Sequence, residues 1–244
     1  MEGRNDGVTV GRIKTGIPGL DELISGGFEE KSVVIVTGPA GSGKSTLALQ
    51  FLYNGATVSG EPGIYITFEE QKAMLYKHMM NYGWDFAKLE KEGKFRLFEY
   101  PPHEVDRFLS EGGAIEDCIE EMKARRLVID SITSFMLLYE TEYKRRQAFL
   151  NAMQTLRKWG CMCLLTAEGE TDAHGNVTAR FGLEFLADGL IAIHMIRRGD
   201  IRDLAIEIVK LRGIPHQRKL SPMMITESGV VVFPNQPVFG EAKF

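Results

Sequence analysis

The sequence predicts an α/β fold, with a mostly parallel central sheet, helices on both faces and an antiparallel extension at the C-terminal end. Three observations predict it. Short β-rich runs alternate with longer helical patterns through the first two thirds of the chain. Val33-Val34-Ile35-Val36 is uninterrupted and β-branched, as a strand buried on both faces must be. The last third holds strand-like runs with no helix between them.

The elements follow in order. After the Val33 strand comes a helix from Lys44 to Tyr53. Ile64 to Phe68 is a second strand and Lys72 to Tyr82 a helix. Phe95 to Glu99 is a third strand, stopped by Pro101-Pro102. Gly113 to Lys123 is helical, and Leu127-Val128-Ile129-Asp130 is another buried strand. Tyr143 to Trp159 has the spacing of a long amphipathic helix, and Cys161 to Ala167 follows as a strand. Gly169 to Thr178, rich in Gly, Asp, Thr and His, reads as a polar, mobile loop. The remaining strands are Leu190 to Ile196, Leu204 to Leu211, Met223 to Thr226 and Val230 to Phe233. Arg197-Arg198-Gly199-Asp200 and Glu227-Ser228-Gly229 have the composition of hairpin turns. We read one domain over 1–244, with an N-terminal arm at 1–12 and a tail at 234–244.

Composition narrows the function. The chain has 244 residues, 44% hydrophobic and 25% charged, which is globular rather than disordered. Its net charge of −4 weighs against a dedicated nucleic-acid binder. Three cysteines, Cys118, Cys161 and Cys163, fit a reducing compartment better than a disulfide framework. Cys161 and Cys163 lie in an apolar run and read as small buried hydrophobes. No segment approaches the roughly 18 apolar residues of a membrane span, and Met1 to Gly7 lacks a signal-peptide core. A cytoplasmic protein is the expectation.

The chemistry centres on Gly38-Pro39-Ala40-Gly41-Ser42-Gly43-Lys44-Ser45, which fits the P-loop pattern in full. A buried strand precedes it and a helix follows, as the pattern requires. Glycines let successive N–H groups turn inward, and those donors with the helix N-terminus attract phosphate oxygens. Gly41, Ser42 and Gly43 are candidate phosphate contacts. Lys44 would reach the β- and γ-phosphates of ATP, the Ser45 hydroxyl would bind Mg²⁺, and Thr46 lies near the α-phosphate. Asp130, ending a hydrophobic strand, matches the Walker B acid that holds Mg²⁺ through water. Alone it could equally cap a helix. Glu69-Glu70 ends the strand that begins at Ile64, where a carboxylate that activates water belongs. Adjacent residues point in different directions, so either acid is a candidate base, and Glu70 is also a candidate metal ligand.

An ordered set of motifs resembles the RecA-like P-loop ATPases and, within them, single-domain relatives of KaiC. Before the P-loop strand stand Thr15-Gly16-Ile17-Pro18-Gly19-Leu20-Asp21-Glu22-Leu23 and Gly26-Gly27. After it come Gln50-Phe51-Leu52-Tyr53-Asn54-Gly55, Glu61-Pro62-Gly63 and Gly83-Trp84-Asp85. Ala124-Arg125-Arg126 leads into Ile129-Asp130-Ser131, and Lys210-Leu211-Arg212-Gly213 is followed by His216. The resemblance implies that Glu69 and Glu70 are catalytic carboxylates. It implies nucleotide contacts at Asn81, Tyr82, Gly83, Trp84 and Ser131. It implies that Lys210, Leu211, Arg212 and His216 reach ATP bound to a neighbouring subunit. Thr226 and Glu227 match, more weakly, residues that approach the base or ribose from that neighbour.

Lys210 and Arg212 alternate on a strand and so share a face. Two cations on one face are costly to bury unless an anion meets them. The pattern alone reads as a solvated edge strand with ordinary surface cations; with the resemblance, a neighbour's γ-phosphate is such an anion, which would make Arg212 a trans arginine finger. A head-to-tail interface that closes is a ring, and the family precedent is a hexamer. The clock proteins of this family carry two such domains in tandem. In their autophosphorylated half, adjacent Ser and Thr precede the strand after the mobile loop. Here that stretch reads Gly182-Leu183-Glu184-Phe185-Leu186-Ala187-Asp188, without a hydroxyl pair, which argues against autokinase activity. A further protein partner is compatible with this reading. The competing readings are a DNA-handling motor and a slow nucleotide-sensing scaffold. DNA candidates are Gly169 to Arg180, Lys144-Arg145-Arg146 and Arg197-Arg198.

Overall fold

A computed structural model describes residues 11–100, 112–172, 176–182 and 184–238. Met1 to Gly7, Pro101-Pro102, residues 173–175, Leu183 and residues 239–244 lie outside them.

Near the N-terminus β1 (Arg12–Ile13) pairs antiparallel with β2 (Phe28–Glu29), flanking the one-turn helix α1 (Leu20–Leu23). The main sheet then begins with β3 (Val33–Gly38), every residue buried. After α2 (Lys44–Asn54) and a π-turn come β4 (Gly63–Thr67), α3 (Lys72–Met80), α4 (Phe86–Lys91) and β5 (Phe95–Glu99). Next are α5 (Gly112–Met122), β6 (Arg126–Asp130), α6 (Ile132–Leu137) and α7 (Glu142–Trp159). The chain closes with β7 (Met162–Thr171), β8 (Val177–Ala179), β9 (Gly189–Arg198), β10 (Ile201–Leu211), β11 (Ser221–Thr226) and β12 (Gly229–Val232).

The strand order is β12-β11-β10-β9-β3-β7-β6-β4-β5, with β8 paired to β7. From β9 to β5 every neighbour is parallel, and β10, β11 and β12 extend the sheet antiparallel. Strand β9 belongs to both halves. The P-loop strand therefore sits in the middle, with a separate apolar cluster on each face. Helix α2 covers one face, packed on Val34, Val36, Leu164 and Ile191. Helices α5, α6 and α7 cover the other.

Local chemistry explains the boundaries. Asp85 caps α4 by accepting from Lys88 N at 2.9 Å, and Thr141 caps α7 by accepting from Lys144 N at 3.2 Å. Gly160, at φ 70°, ends α7. One expectation needs correction. The polar loop drawn from Gly169 to Thr178 is in part a hairpin, because β7 continues to Thr171 and pairs with β8. Its alternating exposed acids gave no apolar face by which a strand could be recognised.

Arg126 is wholly buried at the start of β6. Its guanidinium meets Glu61 at 2.8 Å, donates to Phe51 O at 2.7 Å and to Lys14 O at 2.9 Å, and lies over the Phe51 ring. Burial pushes its pKa down, and Glu61 opposes that. Cys161 and Cys163 are buried, as expected of small hydrophobes, and burial pushes the Cys161 thiol up to about 12. Among the described residues no helix is long and apolar enough to cross a membrane.

Candidate nucleotide site

Strand β3 delivers the P-loop at its C-terminal end, and α2 begins at Lys44. Gly41 and Gly43 have φ of 77° and 92°, in the left-handed region that favours glycine. A side chain at Gly38 would strike Ile193 O at 2.7 Å and Ser42 Oγ at 2.8 Å. The loop is thus held against β9. No side chain caps α2, so its first turn keeps its amide donors for a ligand. The Ser42 hydroxyl is buried with no hydrogen-bond partner. Gly41, Gly43, Lys44, Ser45, Thr46 and Ile225 line an open cleft of about 230 Å³.

Lys44 Nζ donates to the carbonyls of Gly38 and Pro39, both at 2.9 Å. Burial lowers its pKa, while Asp130, Glu168 and Glu69 oppose that in turn. Glu168 was not singled out from sequence. It follows the apolar stretch of β7, in register with Gly38, and Arg180 Nη1 meets its carboxylate at 3.0 Å.

Asp130 ends β6, and its carboxylate accepts from Tyr65 OH on β4 and from Thr166 Oγ1 on β7. Burial and the Asp130 charge push the Tyr65 hydroxyl well above its ordinary pKa, so it stays a donor. The sequence signal for these partners was a polar residue in each of two apolar strands. Ser131, joined to Asp130 by a cis peptide, is buried and lies 3.1 Å from Ser134 Oγ.

The paired acids diverge. Thr67 Oγ1 holds the turn by accepting from Glu70 N at 3.1 Å. Glu69 turns toward β6 and α6, where its carboxylate accepts from Ser134 Oγ. Glu70 turns outward to α3, with Oε1 at 2.9 Å from His78 Nδ1.

Asn81, Tyr82, Gly83 and Trp84 form the corner after α3. Trp84 is buried and stacks between Tyr53 and Tyr82. A side chain at Gly229 would meet it at 2.5 Å, so this corner lies under the β11–β12 hairpin. That hairpin is pinned to α2 by Gln50, whose side chain bonds Val230 N at 2.6 Å and Val230 O at 3.0 Å. It brings Ile225 over Gly43 of the same chain. Thr226 and Glu227 follow Ile225 directly. They form the tip of the hairpin, where Thr226 Oγ1 donates to Gly229 O at 2.9 Å.

Lys210, Leu211 and Arg212 are not brought to the P-loop. Leu211 pairs with Gly189, and Gly189 pairs with Val34, at the start of β3. The P-loop leaves the other end of β3, four residues on at Gly38, about 13 Å along the strand. Lys210 Nζ donates to Phe185 O at 2.8 Å and Ala187 O at 2.6 Å, and Arg212 Nη2 to Phe185 O at 3.1 Å. His216 differs from them: its Nδ1 lies 2.9 Å from Ile214 O, and its Nε2 is enclosed and unpartnered.

The cations suggested for DNA are largely engaged within the chain. Arg145 lies over Phe181 and donates to Tyr139 O, Arg146 lies over Phe185, Arg180 pairs with Glu168, and Arg197 donates to Gly199 O.

The family model described as "ATPase: KaiC" matches residues 13–237. The chain is 32% identical over 233 residues to the circadian clock oscillator protein KaiC of Synechococcus elongatus, covering 92% of this chain but 44% of that protein. It is 31% identical to a UPF0273 protein of Pyrococcus furiosus, over 93% of this chain and 96% of that one. The crystal structure of a KaiC-like protein from Pyrococcus horikoshii superposes with a TM-score of 0.82 at 40% identity, covering 92% of this chain and 100% of that one. A strand-fed P-loop, an acid-tipped β6 and a match spanning nearly all described residues lead to one conclusion: the chain belongs to the KaiC family of ATPases.

Proposed function

We propose that this protein binds ATP with Mg²⁺ and hydrolyses it at a site completed between two copies of the chain. One observation carries the reading: the P-loop and the Lys210–Arg212 pair stand at opposite ends of one sheet. A cation at one end cannot serve a phosphate at the other in the same chain, but a head-to-tail neighbour brings the two together. Repetition of that contact closes a ring, with six copies as the precedent in the resemblance.

Within a copy, the amides of Gly41 and Gly43, the Ser42 hydroxyl and the N-terminus of α2 hold the phosphates. Lys44 exchanges its two loop carbonyls for phosphate oxygens. Ser45 and Asp130 are the residues that would hold Mg²⁺, Asp130 through water, since Tyr65 and Thr166 already occupy its oxygens. Bound Mg²⁺ supplies charge neutralisation at the β- and γ-phosphates. Glu69 orients and deprotonates the attacking water, because it faces the side of the sheet where Asp130 and Lys44 lie. Glu70, turned to His78, serves Glu69's turn rather than the water or the metal. Trp84 supports the hairpin that carries Thr226 and Glu227 toward the base. Arg212 and Lys210 complete the neighbour's site.

Two measurements test this. Lys44→Ala should lose ATP binding; unchanged affinity would remove the nucleotide site as drawn. The subunit count in solution should rise with ATP·Mg²⁺, and a monomer with full turnover would exclude the shared site.

A further inference from the structure

We infer that Asp188 is a positioning residue for the trans cations, acting through Arg212 and Lys210. The inference rests on the shared-site reading above.

Asp188 lies between the 3₁₀ turn Glu184–Leu186 and the start of β9. Its backbone and side chain join two strands. Its N–H donates to Val33 O at 2.9 Å, and its Oδ2 accepts from Val33 N at 3.0 Å. That fixes it to the first residue of the P-loop strand. Its carbonyl accepts from Arg212 N at 2.9 Å. The second carboxylate oxygen, Oδ1, faces Arg157 Nη2 at 3.2 Å and Arg212 Nη1 at 3.5 Å. One carboxylate thus stands between a cation of α7 and one just past the end of β10.

The arrangement answers a physical problem. Lys210 and Arg212 share a face and repel one another, and burial together with Arg212 pushes the Lys210 pKa down. Asp188 and Glu184 oppose both effects. Phe185 O receives a hydrogen bond from each cation. The turn 184–188 is therefore a seat that holds the pair charged and side by side. A planar guanidinium that must meet a phosphate in another chain gains from such restraint, because misplacement by about 1 Å costs up to about 100-fold in rate.

The test uses Asp188→Asn in the full chain. Asparagine keeps an oxygen for Val33 N and removes the charge facing Arg212. ATP affinity should be unchanged and kcat should fall between about 10-fold and 100-fold. The variant is then mixed with Glu69→Gln/Glu70→Gln subunits, which carry intact cations and bind ATP without turnover. If Asp188 acts through the cations, the mixture exceeds the sum of the two separate activities. A loss of ATP affinity, an unchanged kcat, or a mixture that regains nothing overturns the proposal. Arg212→Ala, measured in parallel, separates the two ideas. Should it leave kcat unchanged, the shared-site reading itself fails. Should it lower kcat while Asp188→Asn does not, only the role of Asp188 fails.

Discussion

The two ends of the central sheet are built by different means. At the P-loop end, backbone does the work: left-handed glycines, an uncapped helix and a lysine resting on its own loop carbonyls. At the other end, side chains do it: Lys210 and Arg212 sit on the carbonyls of a short turn, beside Asp188. The first end offers donors without an acceptor of its own. The second offers cations held by the carbonyls of a turn and faced by the Asp188 carboxylate. In the proposed reading each is half of a phosphate site, and the sheet holds the halves apart. The lesson is that distance within the fold, rather than the motif, argues for assembly.

The comparison can be broken at several points. Arg212→Ala should lower kcat by about 1,000-fold or more, with little change in the affinity of the P-loop for ATP. Steady-state turnover beside nucleotide titration reads both; a parallel loss of binding would mean that Arg212 serves its own chain's fold. The paired acids come next. Glu69→Gln should lower kcat by about 100-fold to 10,000-fold, whereas Glu70→Gln should cost less than about tenfold. The reverse order would assign the base to Glu70 instead.

Arg126→Ala should act on stability alone. It removes one of the two arginines on Glu61, which keeps Arg125 at 3.0 Å, and strips Phe51 O and Lys14 O of their buried donor, so unfolding free energy should fall by about 3–5 kcal/mol. Denaturant titration measures this, and ATP affinity of the folded protein should persist. Tyr65→Phe should cost least, about 1.5–3 kcal/mol for one hydrogen bond to the Asp130 carboxylate.

Much of this was legible in the sequence, and the residues explain why. The P-loop and Asp130 are read from spacing, since local backbone geometry fixes their function. The parallel strands are read from uninterrupted β-branched runs. Helices α4 and α6 escaped because each spans six residues, too few for a period to register. The β7–β8 hairpin escaped because the end of β7 from Glu168 to Thr171 has no apolar residue and β8 has only three residues. The choice between Glu69 and Glu70 depends on Ser134 and His78, contributed by other elements, and no local pattern encodes it. The resemblance grouped Thr226 and Glu227 with the trans residues. Ile225, just before them, packs over the P-loop of its own chain, because β11 runs in the direction of β3 while β10 runs back. Asp188 drew no attention beyond its lack of a hydroxyl, although its neighbours in space include both candidate cations.

The central claim is that one copy's loop is completed by another copy's cations. The direct test mixes Arg212→Ala subunits with Glu69→Gln/Glu70→Gln subunits, each nearly inactive alone. The former keep an intact loop and base, and the latter keep an intact finger. The account predicts that the mixture regains turnover well above the sum of its parts. A mixture no more active than that sum would contradict it.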